Sequence, residues 1–173
     1  MATLEIKTAA ELTDPALEAR WAARRAARET EVLQRILGTF VDRGGPIPVE
    51  EIVLAFHDRP VDEIHDALIA LNSDDLIRVR DGHVDVAYPF SAAPTPFVVR
   101  LPDGTERYTC CAIDALGIAP MLAQRVHIRS RCHDCNTPLD FSAGPDAPAP
   151  EADGVMVWVE KMAEDRGRVL DSL

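Results

Sequence analysis

The residues in this chain best equipped for chemistry are its four cysteines, Cys110, Cys111, Cys132 and Cys135, which crowd into one segment with none elsewhere. A disulfide framework would spread its cysteines to close several loops. Clustering of this kind points instead to a thiolate site in a reducing compartment. Asp114 follows Cys111 by three residues in the run Tyr108-Thr-Cys-Cys-Ala-Ile-Asp114-Ala-Leu116. If that run opens a helix, thiol and carboxyl share one face about a turn apart. The positive end of the helix dipole favours a thiolate there, a carboxylate opposes it, and the pair can hold one shared proton ready for transfer. The same spacing also suits a buried cysteine beside an acidic helix start.

Three readings of the sulfur cluster compete. Cys132-His133-Asp134-Cys135 has half of a zinc-site spacing. The other half would be Cys110-Cys111, which lacks two intervening residues, although His127 or His133 can stand in for a thiol. Thioredoxin-like chemistry expects Cys-x-x-Cys to open a helix, and Pro138 with the β-like run after Cys135 disfavours one. A thiol site for a soft metal ion fits best, with Cys110, Cys111, Cys132 and Cys135 as its candidate ligands. His57, His65 and His83 read as ordinary surface or half-buried residues. Trp21 and Trp158 read as packing residues, Trp158 as a candidate wall of the thiol pocket.

The elements that must position these residues follow from composition and periodicity. A chain of 173 residues, 47% apolar and 5% aromatic, affords a core built mostly of aliphatic side chains. A net charge of -11 argues against nucleic acid and against an anionic membrane surface. The start is not a basic segment followed by an apolar run, and no apolar stretch approaches the roughly 20 residues of a membrane span. A soluble, cytoplasmic protein is the expectation. A helix is predicted from about Pro15 to Arg43, with a basic face at Arg20, Arg24, Arg25 and Arg28 and an apolar stripe of Val32, Leu33, Ile36, Leu37 and Phe40, stopped by Gly44-Gly45-Pro46. Further helices are predicted over Val49–Phe56 and from Pro60, then a hairpin of Ile77/Val79 and Val84/Val86/Tyr88 about Asp81-Gly82. Three helices and a hairpin are the order of a winged helix-turn-helix. The helix that would enter a DNA groove carries Asp62, Glu63, Asp66, Asp74 and Asp75 without Lys or Arg, which favours a structural lobe over DNA recognition.

A short linker, 91–96, leads to a second hairpin about Pro102-Asp103-Gly104. A short helix over Cys111–Leu116 is expected to be weakened or ended by Gly117 and Pro120. Strands are expected at 125–131, 139–142 and 155–159, a Cys132–Asn136 turn between the first two, and a polar helix over Lys161–Leu173. The fold class is α+β: a winged-helix-like helical lobe, 1–90, followed by a small, mostly antiparallel β core with short helices, 97–173.

The run Tyr108 to Leu116, then Pro120, then Arg125-Val-His-Ile-Arg-Ser-Arg-Cys132 and Thr137-Pro-Leu139, resembles the core of the organomercurial (alkylmercury) lyases, of which this chain reads as a shortened and divergent member. The helical lobe resembles that family's N-terminal part. The resemblance implies protonolysis of a carbon–mercury bond, with Cys111 as the first mercury-binding cysteine, Asp114 as the proton relay and Cys132 in a supporting role. Cys110 and Cys135 have no counterpart. The family's second catalytic cysteine lies downstream, whereas here none follows Cys135. Either Cys132 or Cys135 then supplies the second thiol, with Cys135 favoured as a turn residue able to swing inward, or cleavage is lost. The partners implied are a small organometallic substrate or metal ion, and small thiols or a thiol protein as metal acceptor. No cofactor is required, and the site can also carry bound Hg(II) or another soft metal ion. A non-catalytic thiolate protein for a soft ion is the alternative, with a metal-responsive regulator weaker still.

Overall fold

The computed structural model describes residues 30–158, together with 6–8, 11, 15, 19 and 22. The basic face at Arg20 to Arg28, Trp21 and the helix expected over Lys161–Leu173 lie outside the described residues. Helix α1 (Thr30–Arg43) buries Val32, Ile36 and Phe40, four residues apart each time, so that one stripe faces the core. Gly44, at φ 80, takes the left-handed conformation that ends it. After the two-residue strand β1 (Ile47–Pro48) come α2 (Val49–Ala55) and α3 (Val61–Ser73), each entered from a proline. Helix α3 buries Ile64, Ala67, Leu68 and Leu71, and Asp62 and Glu63 sit at its positive end.

Strands β2 (Ile77–Arg80) and β3 (His83–Ala87) pair across Asp81 and Gly82, both at positive φ, the backbone a two-residue hairpin needs. Strand β4 (Phe90–Ser91) pairs with β3 on one side and with β6 (Glu106–Thr109) on the other. The segment expected as a linker therefore begins as a sheet strand. Strand β5 (Val98–Arg100) pairs with β6 and with β7 (Val126–Arg131), and β7 with β8 (Pro138–Ala143). The described residues form one antiparallel sheet through both segments, and one buried cluster runs from Val32 to Ala143. No helix among them is long and apolar enough to cross a membrane.

Two contacts tie the helical segment to the strand that leads into the cysteines. The rings of Phe40 and Phe90 stack with centroids 6.0 Å apart. Arg107 on β6 donates to the carbonyls of Phe40 (2.7 Å) and Val41 (2.6 Å) in the last turn of α1, the first of which also accepts the Gly44 N–H (3.0 Å).

Two expectations are corrected. Helix α4 (Ala112–Leu122) runs through Gly117 and Pro120 and stops only at Ala123, at φ 51. Pro120 lies in the last turn, where its missing N–H removes one hydrogen bond, while burial of Ala115, Ile118 and Ala119 holds the helix. The strand expected at 155–159 is absent over 155–158, the part described. The edge of β8 that it would use is already taken, since Ala149 donates to Ser142 (2.8 Å) and Ala143 bridges Pro148.

A Cβ on Gly45 would lie 2.6 Å from two ring atoms of Phe40. That ring is 1% exposed and already stacked, so it has nowhere to move. Gly45→Ala is expected to lower unfolding free energy by about 1–3 kcal/mol, measured by urea titration. Parental stability would mean that the ring can shift.

Candidate functional site

Strand β6 delivers the cysteine pair and α4 delivers the aspartate. The exit from β6 is fixed by Thr109, fully buried, whose carbonyl accepts from the Thr95 hydroxyl (2.7 Å) and whose N–H donates to Phe97 (3.0 Å). Backbone at Cys111 is extended, φ -151 and ψ 180, so successive side chains point to opposite sides. Cys110 is buried with Val86 and Tyr88, its thiol donating to the Phe90 carbonyl at 3.5 Å. Cys111 points the other way and caps α4, its Sγ accepting the Asp114 N–H at 3.4 Å. The neighbouring thiols do not converge.

Burial sets the protonation of this cluster. The Cys111 thiol is pushed up to about 11, first by burial and then by its hydrogen bond with the Asp114 carboxyl. The Asp114 carboxyl is itself raised by burial, partly offset by Cys111, and its Oδ2 is buried without a hydrogen-bond partner. Cys110 is pushed up to about 12 by burial, then by Asp114 and Cys111. The Tyr88 hydroxyl is raised by burial and by the same three groups. Loss of water and the Asp114 carboxyl thus oppose the pull of the helix end on Cys111.

Tyr88 was not singled out by sequence reasoning, which assigned it to strand alternation. Its only signal is position, just before Pro89 and the Phe90 that contacts Cys110.

The later cysteines form a separate pair. Cys132 is half-buried and Cys135 exposed, in a tight turn at the tip of the β7–β8 hairpin. The turn is closed by Cys132 N–H to Thr137 (2.8 Å) and Asn136 N–H to Cys132 (3.0 Å), with Asn136 at φ 58. Cys135 Sγ lies 3.1 Å from the Thr137 hydroxyl. That hydroxyl, the Thr137 N–H and Cys132 lower the Cys135 pKa. Val98 pairs with both Tyr108 and Arg129, so Cys111 and Cys132, each three residues further on, leave the sheet at the same end. Strand spacing puts two flanking strands about 10 Å apart. Among the described residues no three His, Cys, Asp or Glu side chains gather as a metal group, so the four cysteines do not form one such cluster. His127 is held by Asp140 at 2.8 Å, and His133, His57, His65 and His83 are exposed. Trp158 is 65% exposed, not packed as expected.

Residues 90–173 match the family model for alkylmercury lyase. The chain is 34% identical over 116 residues to an alkylmercury lyase of Staphylococcus epidermidis, covering 67% of this chain and 51% of that protein. It is 33% identical over 121 residues to one from Streptomyces lividans, covering 70% and 54%. The chain thus spans about half the length of the curated relatives it matches. The solved mercury-bound form of MerB2 superposes with a TM-score of 0.60 at 20% identity, over 75% of this chain and 63% of that one, a likeness of fold.

Alkylation needs the thiolate, so the raised and lowered pKa values set an order. Cys135 is expected to react with iodoacetamide first near neutral pH. Cys111 should gain reactivity as pH rises toward about 11, and Cys110 should follow last. Peptide mass spectrometry over a pH series reads this order, and equal rates at Cys111 and Cys135 at pH 7 would contradict it.

Proposed function

Residues 90–173 of this chain belong to the alkylmercury lyase family, and from that premise we propose that the chain cleaves organomercurials by protonolysis at Cys111 and Asp114. The observation that carries this reading is the buried, unpartnered Oδ2 of Asp114 beside a thiol that accepts the Asp114 N–H. A soft metal prefers sulfur to oxygen. Cys111 therefore takes the mercury of an R–Hg cation and releases its own proton. A second thiolate, supplied by Cys135 once its exposed turn swings inward, raises electron density on the metal and weakens its bond to carbon. The Asp114 carboxyl gives its proton to that carbon, R–H leaves, and Hg(II) remains on two sulfurs. The proton shed by the second thiol restores Asp114. A carboxyl kept away from water holds its proton at a higher pH than an exposed one, which is what a proton donor at this position needs.

The helical lobe, winged-helix-like in its element order, serves this site structurally by supporting β4 and β6. The setting implied is a reducing, cytoplasmic one in which small thiols take the metal. A second reading, a non-catalytic thiolate protein for a soft ion, is favoured by the separation of the two sulfur pairs.

Incubation with a phenylmercury compound and excess thiol, following benzene, decides between them. Stoichiometric mercury binding without benzene selects the binding protein. Cys111→Ser is expected to abolish cleavage. Asp114→Ala should slow it by about a hundredfold or more while mercury still binds; normal turnover in that variant would remove Asp114 from the proton path.

A further inference from the structure

We propose that the Cys132–Cys135 turn is a second, surface-facing Hg(II) site, separate from Cys111, that takes the metal left by cleavage and presents it to outside thiols. Its place in the reaction rests on the cleavage reading; its capacity to bind metal does not.

Three observations carry it. The turn is built to hold its two sulfurs together: backbone hydrogen bonds of 2.8 and 3.0 Å close it, and Asn136 at φ 58 reverses the chain directly after Cys135. It offers two thiols, with no third metal-ligating side chain grouped with them among the described residues. Zinc in a structural site takes four ligands, whereas two sulfurs suffice for a soft ion such as Hg(II), which selects thiolates. Finally, the site is open to solvent and lies at the same end of the sheet as Cys111. Cys135 is exposed at the hairpin tip, and Cys132 leaves the sheet at the same end as Cys111.

The transfer is a ligand exchange. After cleavage the metal is held as Cys111-S–Hg–S-Cys135, the turn having swung inward to bring Cys135 to it. The Cys132 sulfur forms a bond to mercury, the Cys111–mercury bond breaks, and the Cys132 proton passes to the Cys111 sulfur. The product is Cys132-S–Hg–S-Cys135 with Cys111 again a thiol, and no electron changes hands. An incoming thiol then attacks at the exposed Cys135 side.

The test uses inorganic Hg(II) on the full chain carrying Cys111→Ser, titrated against a competing monothiol. One Hg(II) per chain is expected. Adding Cys135→Ser or Cys132→Ser should weaken retention by about a hundredfold, the loss of an intramolecular second contact. Cys135 is exposed, so its variant tests the site even if the half-buried Cys132 tolerates no change. Asn136→Gly, which keeps the left-handed turn, should retain the metal. The proposal is overturned if the Cys111→Ser chain gives its mercury up to the monothiol, if Cys135→Ser retains it equally, or if one ion is held by two chains. Because the probe has no carbon–mercury bond, these outcomes are distinct from failure of the cleavage reading, which shows as missing benzene with this binding intact.

Discussion

The Asp114 N–H reaches the Cys111 sulfur across the first turn of α4, and this contact requires two elements to meet correctly. Cys111 must leave β6 in extended backbone, so that its sulfur caps the helix while Cys110 turns into the core. The helix must then hold Asp114 where water does not reach one of its oxygens. An unpaired buried polar atom costs about 1–3 kcal/mol, so the arrangement needs support from outside the site. Part of that support is the apolar face of α4, Ala115, Ile118 and Ala119, which anchors the helix in the core.

The remaining support comes from the N-terminal segment. Strand β4 lies between β3 and β6, and its Phe90 both stacks on Phe40 and supplies the carbonyl that receives the Cys110 thiol. Arg107, one strand position before Tyr108, ties β6 to α1 by donating to the carbonyls of Phe40 and Val41 in its last turn. On the neighbouring hairpin, the buried Arg78 is paired with Asp85 through two hydrogen bonds of 2.8 and 3.0 Å. The described helical segment thus fixes the depth of the cysteine strand and brings Tyr88 alongside it.

Local signals in the sequence were enough for much of this. Asp81-Gly82 and Pro102-Asp103-Gly104 named their hairpins because the turn residues themselves supply the backbone conformation. The stripe of Val32, Ile36 and Phe40 named the buried face of α1, and Cys111 with Asp114 named one helical turn. What stayed hidden depends on tertiary context. The length of α4 past Gly117 and Pro120 is decided by burial rather than by propensity. The missing strand at 155–158 is decided by Pro148 and Ala149 having already closed the edge of β8. The protonation of Cys111 is decided by desolvation, which no spacing rule contains. Tyr88 was hidden for the same reason, since its proximity to the thiols arises from strands paired only in the folded sheet.

The division of four sulfurs into two unlike pairs follows from opposed demands. A proton donor to carbon works best where water is excluded, because burial keeps the carboxyl protonated. The same burial raises the thiols beside it and hinders exchange with thiols in solution. A metal-release site needs the reverse: exposed sulfur with a lowered pKa, as Cys135 has from Thr137 and Cys132. One cavity cannot satisfy both demands, since each change in dielectric that favours one opposes the other. Sheet register offers a solution, because β6 and β7 flank β5 and run in the same direction. Each demand can then be met on its own strand end.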